Sequence, residues 1–203
     1  MKRFRFTLLV VCLVLIYLGG VDLQLMLRNP RPVSVDISEL EKSGPEREWL
    51  TIRGGYQNLL EAISTTGSVE VDAFLVPIKT EPEAEHYRVL LETRDPQIVD
   101  ALITYYFKLD SEKARRDYVD EHRELFYGQR DVTGMVMTGL IGTSNRNRLQ
   151  KLAKDFGVPV PEDAILVTEG KEPARVRGFF FMIVALLGLV KFATMWRKSR
   201  KPV

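Results

Sequence analysis

Two apolar segments bracket this 203-residue chain and constrain its fold more than anything between them. The first runs from Phe6 to Leu18 and extends to Leu27; the second, GFFFMIVALLGLVKFATMW, runs from Gly178 to Trp196. A helix needs about 20 predominantly apolar residues to cross a bilayer. Residues 6–27 and 178–196 are therefore expected to be transmembrane helices, with residues 28–177 forming one domain between them. The linkers that enter and leave this domain, Arg28-Asn29-Pro30-Arg31-Pro32 and Lys171-Glu172-Pro173-Ala174-Arg175, are short and proline-bearing, which excludes a long flexible stalk.

Charge gives an orientation. Tail 1–5 carries Lys2, Arg3 and Arg5, and tail 197–203 carries Arg197, Lys198, Arg200 and Lys201, with no acid in either. Lys and Arg close to membrane ends stay on the cytoplasmic side, so both tails are expected there, in a bacterial-type inner membrane, with the central domain extracytoplasmic. Arg28, Arg31, Lys171, Arg175 and Arg177 on the outer flanks reduce this bias without reversing it. Residues 28–177 hold 21 Lys and Arg against 26 Asp and Glu, a net charge of about −5. An acidic domain of this kind argues against a nucleic-acid partner.

The stretch Leu18-Gly19-Gly20-Val21-Asp22-Leu23 offers a poor small-residue cleavage site, so the first segment reads as a retained signal anchor. Asp22 then lies near the outer interface, where an acid is tolerated better than at the bilayer centre. Lys191 stands five residues before Trp196, close enough to the cytoplasmic interface to snorkel, and Trp196 suits the interfacial aromatic belt. The single cysteine, Cys12, lies in the first segment, so the outer domain can build neither a disulfide nor a thiolate metal site.

Patterning within the domain is mixed. Ser34–Ile37, Trp49–Arg53 (ending at Gly54-Gly55), Val69–Ile78, His86–Glu92, Val132–Leu140 and Ala164–Thr168 read as strands. Ser38-Glu39-Leu40-Glu41 matches a capping box that starts a brief helix, and Tyr56–Ile63 reads as another short helix. Asp95-Pro96 suits an N-cap with proline at the first helical position, followed by Ile98, Leu102, Tyr105 and Leu109 at helical spacing. Residues 111–126 read as one helix with Ala114, Tyr118, His122 and Leu125 along a stripe, and Arg146–Phe156 as a further helix. Without regular strand–helix alternation the class is α+β: a small strand-rich, OB-like barrel with helical insertions, flanked by the two transmembrane helices.

The search for chemistry is sparse. His122, within that stripe, is expected to be a half-buried, hydrogen-bonded histidine, and His86 has no metal-ligand spacing around it. Glu81-Pro82-Glu83-Ala84-Glu85 reads as a solvated loop. The acids of residues 111–126 alternate with Lys113, Arg115, Arg116 and Arg123, the pattern of a solvated helix face. The best site is the glycine-bearing turn Gly139-Leu140-Ile141-Gly142-Thr143-Ser144, which leads into a helix whose first turn carries Arg146 and Arg148. Gly139, Gly142, Ser144, Arg146 and Arg148 could bind an anion at a helix N-terminus, although a turn with Ser144 as its N-cap explains the same residues. No catalytic residue, metal ligand or cofactor is assigned.

Trp49–Gly54, Phe74–Pro77 and Val132–Gly134, set between two terminal helices, give an architecture similar to that of the Surfeit-locus-one cytochrome oxidase assembly proteins. That family's arginine-glycine-tryptophan motif is absent, since the chain reads Leu91-Glu92-Thr93-Arg94-Asp95-Pro96, and no functional residue carries over. The expected function is that of a non-enzymatic two-pass membrane protein whose outer domain binds another envelope or membrane component, as an assembly factor or accessory subunit. Its partners would be the lipid bilayer and a membrane or envelope protein. The alternatives are a sensor or carrier of a small anionic ligand and a membrane-anchored hydrolase.

Overall fold

The computed structural model describes residues 2–64, 73–137, 161 and 163–199, and the chain divides into two compact units, Met1–Pro30 with Pro173–Val203, and Arg31–Glu172.

The first unit is a pair of helices, α1 (Lys2–Arg28) and α6 (Arg175–Ser199), each long and apolar enough to cross a membrane. They run antiparallel, with Gly188 against Leu8 and Cys12 and Gly178 against Asp22 and Leu23. Small residues face each other: Cys12, Gly19, Gly178 and Ala185 are buried, and a Cβ on Gly19 would stand 3.0 Å from the Gly178 carbonyl oxygen. Asp22 is buried too, and Arg177 donates to it twice, Nε to Oδ2 at 2.7 Å and Nη2 to Oδ1 at 2.8 Å. Only 17% of the most apolar 18-residue stretch of α1, and 11% of that of α6, is buried. Exposed Leu13, Tyr17, Phe180, Ile183 and Leu187 cover the outside of the pair. Such an apolar exterior is consistent with a membrane protein. Lys191 is exposed as well, away from the helix–helix contact.

The second unit is built on a barrel-like sheet. Its elements are β1 (Val33–Asp36), α2 (Ile37–Ser43), β2 (Trp49–Gln57), a 3₁₀ turn (Leu59–Glu61), β3 (Ile63–Ser64), β4 (Phe74–Lys79) and β5 (Val89–Thr93). There follow α3 (Pro96–Ile103), a π turn (Thr104–Lys108), α4 (Glu112–Glu121), α5 (Arg123–Tyr127), β6 (Gln129–Val136) and β7 (Ile165–Glu169). Five strands close a ring. β2 pairs with β6, β6 with β7, β4 with β5 and β2 with β4, all antiparallel, while β5 and β7 are parallel. β1 lies parallel to β2 from Val33–Leu50 to Asp36–Arg53, and β3 adds to β4.

Alternation fills the ring. Leu50 and Ile52, Val76 and Ile78, Val89 and Leu91, Val132, and Ile165 and Val167 form one buried cluster. The helical excursion from α3 to α5 adds Ile98, Leu102 and Phe126 to it. Residues of opposite parity, Leu75, Leu90 and Leu166 with Ile63 and Tyr87, form a second buried cluster.

Several elements differ from the sequence reading. β2 does not end at Gly54-Gly55. Its pairing with β6 shifts between Ile52 and Gly55, and Gly54 adopts φ +71°, which only glycine reaches without strain. This bulge bends the strand so that Tyr56 and Gln57 pair with Lys79 and Ile78, which closes the ring. A Cβ on Gly55 would overlap Ile78 Cγ2. The expected helix at Tyr56–Ile63 is thus strand, a single 3₁₀ turn and β3. The cap of α2 is Asp36 rather than Ser38; Asp36 Oδ1 accepts from the Ser38 N–H at 2.9 Å and from the Ser38 hydroxyl at 2.7 Å. Those two bonds hold the Asp36 carboxyl below its ordinary value. Asp95 caps α3 as expected, and Ser111 caps α4, accepting from the Ala114 N–H at 3.1 Å. Residues 111–126 form two helices rather than one, broken at His122. His86 precedes β5 instead of opening it. The expected helix at Arg146–Phe156 lies outside the described residues.

Candidate functional site

The expected anion site, Gly139, Gly142, Ser144, Arg146 and Arg148, also lies outside the described residues. His122 is half-buried, with Nδ1 3.0 Å from the Tyr118 carbonyl and its ring 4.3 Å from that of Tyr118. The Glu81–Glu85 segment is a turn in which the Ala84 N–H donates to the Glu81 carbonyl at 3.2 Å, and its three glutamates are exposed. Among the described residues no group of three or more His, Cys, Asp and Glu side chains is placed to hold a metal ion.

The structure brings together residues that the sequence reading kept apart. α3 passes into the π turn, where the Leu109 N–H donates to the Thr104 carbonyl at 3.2 Å, five residues back. Such turns insert one extra residue and often mark functional positions. Here the turn presents Tyr105 and Tyr106 in succession, their rings edge-to-face with centroids 5.0 Å apart. The Tyr106 hydroxyl donates to the Leu60 carbonyl at 3.1 Å, and burial raises its pKa first, with Tyr105 adding and Arg115 opposing. Tyr105 leans on Phe126, while the Arg115 guanidinium sits over its ring at 5.8 Å and donates from Nε to the Leu109 carbonyl at 3.1 Å. Arg115 is therefore held in place with its terminal N–H groups left to act.

Beside this cluster lies a groove of about 430 Å³, lined by Arg115, Arg116, Arg123, Tyr105 and Tyr127 together with Glu83 and Asp120. It runs into a second hollow of about 430 Å³ that shares Pro82, Asp120, Arg123 and Tyr127 and adds Glu121 and Glu124. Neither Arg116 nor Arg123 has a carboxylate partner among the described residues. Burial raises the Tyr127 hydroxyl pKa, with Tyr105 adding to the rise and Arg123 opposing it. The lining thus offers guanidinium donors, carboxylate acceptors and two phenol rings to a polar ligand.

A larger hollow, about 560 Å³, lies between Glu41, His86, Arg88 and Asp163. Three of its charged residues, Glu41, Arg88 and Asp163, already serve one another, while Lys42 and Glu85 also line it. Arg88 Nε pairs with Asp163 Oδ2 at 2.6 Å, the Arg88 N–H donates to Glu41 Oε1 at 3.1 Å, and Arg88 Nη1 donates to the Glu41 carbonyl.

No protein-family model, curated protein or solved structure matches this chain. The comparisons thus lend no support to the resemblance to the Surfeit-locus-one proteins.

Proposed function

We propose that this is a non-enzymatic two-pass membrane protein whose OB-like barrel domain, on the extracytoplasmic side, binds another membrane or envelope component. The observation that carries this reading is the antiparallel helix pair, apolar on its outside and tight within; in the other unit, Arg115, Arg116 and Arg123 line one groove. An antiparallel pair brings both basic tails to one end, and the positive-inside bias supports a cytoplasmic reading of that end. The ring order supports the OB-like assignment. Counting β2, β4, β5, β6 and β7 as first to fifth, the order is first, second, third, fifth, fourth and back to first, with helices between third and fourth.

A photo-crosslinking residue at Arg116 or Tyr127 in native membranes should trap a membrane or envelope component, and one at His86 should not. Equal trapping from both positions, or none, overturns this reading. Reporter fusions at Val203 and within Glu81–Glu85 test the orientation, and a cytoplasmic Glu81–Glu85 loop reverses it.

A second reading, a sensor or carrier of an anion through Gly139–Arg148, draws support from chain position. That segment belongs to the β6–β7 connection, the fourth-to-fifth connection that OB-like barrels use for ligands. Under this reading Arg146→Gln with Arg148→Gln abolishes any thermal shift of the full-length protein with phosphate; an unchanged shift removes it.

A further inference from the structure

The two joined hollows beside α4 and α5 carry opposite charge. The first sets Arg115, Arg116 and Arg123 against Glu83 and Asp120, and is left with one net positive charge. The second sets Arg123 against Asp120, Glu121 and Glu124, and is left with two net negative charges. Asp120 and Arg123 belong to both, so the contrast comes from Arg115 and Arg116, partly offset by Glu83, in the first and from Glu121 and Glu124 in the second. Tyr127, also common to both, supplies an aromatic wall between them.

From this arrangement we infer that the groove takes a zwitterion, with a phosphate at the arginine end and an ammonium at the glutamate end: the chemistry of phosphoethanolamine. This inference rests on the groove being the binding surface proposed above. Phosphate suits the first hollow because Arg115 is pre-positioned by the Leu109 carbonyl and the Tyr105 ring, and Arg116 and Arg123 lack carboxylate partners among the described residues. Several guanidiniums around one site match the oxygens of a phosphate. An ammonium suits the second hollow because the Glu121 and Glu124 carboxylates attract it.

Isothermal titration of the full-length protein in detergent, with O-phosphoethanolamine and inorganic phosphate as probes, tests it through a crossed pattern. Arg115→Gln with Arg116→Gln should weaken both probes at least tenfold. Glu121→Gln with Glu124→Gln should weaken phosphoethanolamine about fivefold while leaving inorganic phosphate as tight or tighter. No phosphoethanolamine binding by the parent protein, or two variants that act alike on both probes, overturns the proposal. Thermal unfolding of each variant shows that a loss is not one of folding. Competition by nanodiscs containing phosphatidylethanolamine, but not by those of phosphatidylglycerol alone, assigns the ligand to a lipid headgroup; equal indifference to both assigns it to a free solute. Groove crosslinks that form while titration stays flat sink this inference and spare the broader reading.

Discussion

Buried positions in the barrel are filled by Leu50, Ile52, Val76, Leu91 and Val167, whereas those between α1 and α6 are filled by Cys12, Gly19, Gly178 and Ala185. The exteriors invert the same contrast. Leu13, Ile183 and Leu187 cover the helix pair, while Glu81, Glu83 and Arg94 lie exposed on the domain. In water, removing branched aliphatic side chains from solvent drives folding, at about 25 cal/mol per Å². In lipid that drive vanishes between helices, and association relies on close backbone packing and on polar groups with no better partner. The Gly19–Gly178 approach and the Asp22–Arg177 pair are consistent with those two devices. A single chain thus uses large residues to hold one core and the smallest ones to hold the other.

The contrast makes opposite demands on substitution. Leu91 is fully buried in the ring, so Leu91→Ala should cost about 2–5 kcal/mol, read by denaturant unfolding of the outer domain. A cost under about 1 kcal/mol would mean that the barrel core is not tightly packed. Enlargement is what should harm the helix pair. A Cβ at Gly188 would overlap Cys12 Sγ, so Gly188→Leu should cost about 1–3 kcal/mol of helix association and make Cys12 reactive to a maleimide in detergent. If Cys12 stays protected, small-residue packing does not hold the pair.

Smaller effects sharpen the barrel side alone. Asp95 Oδ1 accepts from the Gln97 N–H at 2.9 Å, so Asp95→Ala should remove about 1 kcal/mol in thermal unfolding and leave Cys12 protection untouched. The smallest effect is one of pH. Because the folded Asp36 carboxyl lies below its ordinary value, its contribution is complete above the normal carboxylate range and is lost as pH falls through the depressed value. Stability of the parent protein should decline below about pH 4 more steeply than that of Asp36→Asn. Parallel curves would show that the Ser38 bonds contribute nothing.

What could be read from the residues was local. The length of the apolar segments and the Asp95-Pro96 start of α3 each depend on a few neighbours, and each stands in the structure. Gly54-Gly55 misled because a glycine pair ends a strand or bends it with equal ease, and only the distant partners Gln129 and Lys79 decide. Asp36 and Ser38 both suit a cap, and the choice falls to where Ile37 turns into the core. The groove was hidden for a related reason. Tyr105 and Tyr127 stand 22 positions apart, and nothing in an alternating charged helix shows which arginines will face them. The π turn that brings Tyr105 there leaves no periodic trace, since it breaks the period by a single residue.

β1 has a mechanical consequence. Tension arriving at Val33 meets a single four-residue ladder with β2, the one strand that β1 pairs with among the described residues. Tension arriving at Glu169 meets β7, laced to β5 on one side and β6 on the other, so it must shear two ladders together. β1 therefore peels first, and its loss leaves the five-membered ring intact. Stretched between its ends, the domain would lengthen by one short strand at low load and then hold, like a fuse set ahead of the barrel.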